Sequence, residues 1–93
     1  MKVRIWFSPG AAGYIKEKIW HDPQEIVSQQ DGSIVFEAEV AGTEEIRFWI
    51  MSWGAKALVL EPASLREEIR AETETILGKY EGDFLSEQKP STA

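Results

Sequence analysis

EEIRFWIMSWGAKALVLEPASLR, residues 44–66, reads with almost no loop residues as an amphipathic helix, a glycine stop, a short apolar strand and a second helix that starts after proline. Thr43 stands at the N-cap position, and Glu44 and Glu45 occupy the first turn, where acids favour the positive end of the helix dipole. Ile46, Trp49, Ile50 and Trp53 recur at i, i+3, i+4 and i+7, which is the spacing of one buried face. Gly54 is placed to take the left-handed conformation that commonly closes a helix. Residues 57–60 form a strand that Glu61-Pro62 stops, because proline has no N–H to give to a ladder. Ser64 offers a cap, and Leu65, Ile69, Ile76 and Tyr80 line the next helix, which ends near Tyr80 or Gly82.

Toward the amino terminus, Val3, Ile5 and Phe7 alternate with Lys2, Arg4 and Trp6, the period of a half-buried strand. Ser8-Pro9 starts a helix that runs to about Trp20, with Ala11, Ala12, Ile15 and Ile19 on one stripe. Gly10 and Gly13 lower its intrinsic propensity by about 1 kcal/mol each, so the reading is that tertiary packing holds it, with close approach of the glycines to a partner surface as the alternative. His21-Asp22-Pro23 ends that helix. Residues 25–30 form a strand, Asp31-Gly32 is a two-residue hairpin signal, and Ile34, Phe36, Ala38 and Val40 alternate along the returning strand. The order strand, helix, strand, strand, helix, strand, helix predicts an α+β fold: a ferredoxin-like βαββαβ unit with a four-stranded antiparallel sheet and an added C-terminal helix. The first and third strands form the central pair, and the helices cover the Val3/Ile5/Phe7 face. One domain spans residues 1–82, and residues 83–93 read as a disordered tail.

The 93 residues allow one modest core, and an apolar fraction of 43% is that of a folded chain. There is no cysteine, which excludes disulfides and thiolate chemistry, and no run approaches the roughly 20 apolar residues of a membrane span, so a cytoplasmic location is the default. A formal charge of −6 opposes autonomous binding to nucleic acid, although the first twenty residues are locally basic through Lys2, Arg4, Lys16 and Lys18.

VRIWFSPGAAGYIKEKIW at 3–20, HDPQ at 21–24, DGSIVFEAEV at 31–40 and above all FWIMSWGAKALVLEPASLR at 48–66 resemble the C-terminal extension, or WCX, domain of WYL-domain transcriptional regulators. The resemblance covers roughly residues 3–80. It implies a bacterial regulator in which a winged-helix DNA-binding region and an Sm-like WYL domain precede this ferredoxin-like module. The WYL and extension domains then act together as the sensory and dimerising half, with single-stranded nucleic acid among the family's effectors. Neither a basic recognition helix nor a Trp-Tyr-Leu tripeptide occurs in the chain, so the expectation is a C-terminal fragment of such a regulator. On this reading the chain is a non-catalytic regulatory and dimerisation module that needs no cofactor. Its partners are the WYL and winged-helix domains and a second copy, with no direct double-stranded DNA binding of its own. The alternative is an ACT-like domain that binds a small molecule. An acylphosphatase-like enzyme is disfavoured because SPGAAGYIK, after the first strand, carries no arginine for a phosphate loop.

Five residues are candidates for ligand or domain contact. Arg4 and Trp6 share the open face of the sheet with Val35, Glu37 and Glu39, either as a cross-strand ion pair beside an aromatic or as a surface on which bases stack. His21 is the only histidine and with Asp22 cannot complete a metal site or a catalytic set, so it reads as a turn or interface residue. Phe48 lies off the buried stripe of its helix, so exposure there would mark an interface. Arg66 is a cation in a first helical turn, where the dipole disfavours it, so it answers either to Glu61 or Glu45 or to a partner. Glu67, Glu68, Glu72 and Glu74 form a solvated helix face rather than an acid–base pair.

Overall fold

The structure, a computed structural model, describes residues 1–82. The tail expected over 83–93 lies outside them. Four strands, β1 (Lys2–Phe7), β2 (Gln24–Ser28), β3 (Ile34–Glu39) and β4 (Ala57–Glu61), alternate with three helices, α1 (Pro9–Lys16), α2 (Glu44–Ser52) and α3 (Ala63–Glu81). The class is α+β. The sheet order is β2-β3-β1-β4 and every neighbouring pair is antiparallel, so β3 and β1 are central as the order of elements implied.

All three helices cover one face. Val3, Ile5, Phe7 and Phe36 from the central strands are fully buried, and they share one core with Ala11 and Ile15 of α1, Ile46 and Ile50 of α2, and Leu65 of α3. Phe7 is the hub of the aromatic layer, with its ring centroid 5.5 Å from that of Trp49, 5.9 Å from Trp53 and 6.4 Å from Phe36, each edge-on. Such edge contacts add about 0.5–1.5 kcal/mol each beyond the area they bury.

Helix α1 is shorter than its sequence implies. It ends at Lys16 rather than near Trp20, and Ile19, placed on the buried stripe by spacing, is 70% exposed. Continuation would have given the Ile15 carbonyl to the Ile19 N–H; instead that carbonyl accepts the Trp20 indole N–H at 2.9 Å. Gln24 then fixes the exit, its Oε1 accepting the Trp20 and His21 backbone N–H groups at 2.7 and 3.0 Å. Neither Ser8 nor Thr43 caps its helix through the side chain. The Ser8 carbonyl serves the Ala11 and Ala12 N–H groups, and its own N–H donates to the Lys56 carbonyl at 2.9 Å, anchoring α1 to the turn before β4. Among the described residues nothing lies close against the glycines of α1: a Cβ at Gly13 would meet nothing within 4 Å and one at Gly10 only the Ser8 hydroxyl at 3.8 Å.

The hairpin turn is also longer than the two-residue form. The Gln29 N–H donates to the Ser33 carbonyl across three intervening residues, the Gly32 N–H closes back on Gln29, and Gly32 takes φ +91°. This is a type I turn followed by a left-handed residue. Asp31 prefers it because its carboxylate accepts both the Ser33 N–H at 2.9 Å and the Ser33 hydroxyl at 2.6 Å, which hold its pKa below the ordinary value.

Helix α2 ends as its sequence implies, with Gly54 at φ +59° after Trp53. Helix α3 differs in two ways. Pro62 precedes it while Ser64 lies inside its first turn, and of its apolar stripe only Leu65 is fully buried. Nineteen residues at 1.5 Å each span about 28 Å, whereas the five-residue edge strand β4 offers about 17 Å of sheet. The helix therefore outruns its support, leaving Ile76 40%, Leu77 54% and Tyr80 72% exposed.

Candidate functional site

Strand register builds two rows across the open face of the sheet. One row is ionic: Glu25 opposes Glu37, Glu37 opposes Arg4, and Arg4 opposes Glu61. The next is apolar: Val27, Val35, Trp6 and Leu58 follow one another from edge to edge. In the ionic row Arg4 Nε donates to Glu37 at 3.0 Å, while its terminal nitrogen reaches Glu61 at 3.6 Å. Lys2 approaches the other Glu37 oxygen at 3.3 Å. The Lys2 ammonium, and after it the Arg4 guanidinium, hold the Glu37 carboxyl below its ordinary pKa.

The cross-strand pair anticipated between Arg4 and Glu37 is present, and it engages both cations that a phosphate would need. Trp6 is half-buried in the neighbouring row, between Val35 and Leu58. Both side-chain cations of this face are engaged, and acids stand on three of its strands.

His21 lies on the other side of the sheet, in the α1–β2 connection. It and Trp20 form one wall of a cavity of about 520 Å³ whose remaining lining comes from Phe36, residues 40–42 and the first turns of α2. No local pattern signals this cavity, because three separate segments build it. It opens because α1 stops early and the Gln24 clamp turns Trp20 back, bringing its ring centroid to 5.4 Å from Trp49 and 6.0 Å from Trp53. The buried indole N–H groups of Trp49 and Trp53 have no hydrogen-bond partner among the described residues.

Phe48 is 63% exposed on the outer side of α2, with the Arg47 guanidinium 5.4 Å from its ring centroid. Arg66 is exposed in the first turn of α3 and borders a groove between α3 and β4 floored by Ile50, Val59 and Ile69. It pairs with neither Glu61 nor Glu45, since Glu61 is engaged by Arg4 and Arg66 makes no ion pair among the described residues. Further along α3, Arg70 bridges Glu67 at 3.7 Å and Glu74 at 3.1 Å on a solvated helix face. The five candidates thus lie at separate places: Arg4 and Trp6 on the open face, His21 at the cavity, Phe48 on α2 and Arg66 at the groove.

Among the described residues no group of three or more histidines or carboxylates is placed to hold a metal ion, and no helix is long and apolar enough to cross a membrane. The family model described as WCX domain matches residues 1–77. No curated protein matches the chain.

Proposed function

The chain belongs to the WCX domain family, and on that premise we propose that it is a non-catalytic C-terminal regulatory and dimerisation module of a bacterial, cytoplasmic WYL-type transcriptional regulator. The match over residues 1–77 carries the reading. The ferredoxin-like reading goes with it, supported by the βαββαβ element order and by outer strands β2 and β4 flanking β3 and β1. In this role the module assists effector sensing together with a WYL domain, and winged-helix domains of the same regulator read the operator.

The charge arrangement supports a division of labour. Lys2 and Arg4 are bound to Glu37, so the open face of the sheet offers no free cation pair to duplex phosphates. A single-stranded nucleic acid effector would draw its positive contacts from the WYL domain. Among the apolar groups left in water, Phe48 on α2 and Ile76, Leu77 and Tyr80 on α3 are contacts available for that domain or for a second copy. The coding sequence that adjoins this segment tests the assignment. An in-frame winged-helix region and WYL domain upstream are expected; a catalytic domain there, or neither regulator domain, would overturn it.

One observation favours a second reading, an ACT-like small-molecule-binding regulatory domain. The cavity beside Trp20 has the size and apolar lining of small-molecule sites, which run from about 300 to 1,000 Å³.

A further inference from the structure

The cavity's chemistry points to one class of ligand. Its apolar part is aromatic: the Trp49 ring centroid lies 5.4 Å from that of Trp20 and 5.2 Å from that of Phe36. Its charged part is acidic. Glu44 and Glu45 line it, no lysine or arginine does, and neither carboxylate makes an ion pair among the described residues. The start of α2 contributes a dipole equivalent to about +0.5 charge, which its two carboxylates outweigh. One acid would have been enough to complement the helix end.

The Trp20 wall is fixed before any ligand arrives, by its indole bond to Ile15 and by the Gln24 clamp on its backbone. Its ring already faces a cation, because the Lys18 ammonium sits 4.2 Å from its centroid and is not part of the cavity lining. Indole rings attract cations through their quadrupole, most strongly where water is excluded.

We propose that this cavity binds an organic cation, an ammonium group on a small apolar body, with the charge held between the Trp20 and Trp49 indoles and the Glu44 and Glu45 carboxylates. It gives the small-molecule reading a place and a ligand class, and it rests on that reading rather than on the assignment to WYL regulators. Choline and its neutral isostere 3,3-dimethylbutan-1-ol are the test pair, titrated at constant ionic strength while the indole N–H resonances of all four tryptophans are followed.

Choline should shift Trp20 and Trp49 and bind at least about tenfold more tightly than the alcohol. Glu44→Gln/Glu45→Gln changes two exposed side chains and should keep the fold. It should weaken choline about tenfold and leave the alcohol unchanged. Equal affinity for the two probes refutes the cationic class while the small-molecule reading survives. Absence of any shift at Trp20 and Trp49 with either probe up to about 10 mM refutes the cavity as a binding site and that reading with it.

Discussion

Gln24→Met tests the reasoning about how α1 ends and how the cavity wall is held. Methionine keeps the length and volume of glutamine but accepts no strong hydrogen bond. The Trp20 and His21 N–H groups, both partly buried, lose their acceptor at 2.7 and 3.0 Å, while the exposed Lys18 carbonyl, which takes the Gln24 amide at 3.2 Å, turns to water. At about 0.5–1.5 kcal/mol for each of the first two bonds and almost nothing for the third, the loss comes to about 2 kcal/mol. For a domain this size that is a fall in Tm of about 8–16 °C. Urea unfolding should show a lower midpoint at unchanged slope, and hydrogen exchange should quicken at the Trp20 and His21 amides. Gln24→Glu keeps the acceptor and forfeits only the exposed donation, so it should cost less than about 1 kcal/mol. The reasoning fails if Gln24→Met stays within about 0.5 kcal/mol of the parent with both amides still protected, or if the glutamate variant is as damaging as the methionine one.

Three further outcomes follow from the packing and charge geometry. Gly13→Ala, in an exposed and uncrowded turn of α1, should raise stability by about 0.5–1 kcal/mol in the same urea assay. Gly54→Ala also meets nothing within 4 Å, yet at φ +59° it should lower stability by about 1–2 kcal/mol, and Gly54→Asn by less. Glu37 titrates lower in the folded chain than in the unfolded one, so its contribution is complete above the ordinary glutamate value of about 4.3 and is lost as pH falls through the depressed folded value. Chemical unfolding across that acid range should therefore fall away less steeply for Glu37→Gln than for the parent.

The legible parts of the fold were those with a local period. Val3, Ile5 and Phe7 gave the strand and its buried face, and Ile46, Trp49, Ile50 and Trp53 with Gly54 gave α2 and its stop, because strand pleat and helical pitch write themselves directly into residue spacing. The errors arose where a side chain competed with the backbone. Ile19 has the right spacing for α1, but the Trp20 indole takes the carbonyl it needed, and a bond five residues back leaves no period. The Asp31 carboxylate similarly lengthened the hairpin turn. In α3 the stripe continues through Ile76 and Tyr80 although no sheet remains beneath it, and local spacing carries no information on how far the opposing layer extends. Of the candidate contacts, the Arg4–Glu37 pair was readable because alternation puts both residues on the open face of adjacent central strands. The cavity was not, since Trp20, Phe36 and Glu44 meet only through the tertiary fold.

Sedimentation velocity of the chain, alone and mixed with the WYL domain expected upstream of it, tests the regulatory-module account most directly. The account predicts a heavier species, formed either with itself or with that domain and weakened by Phe48→Ser or Tyr80→Ser at unchanged thermal stability. A single monomer boundary for the chain up to about 100 μM, alone and in the mixture, would contradict it.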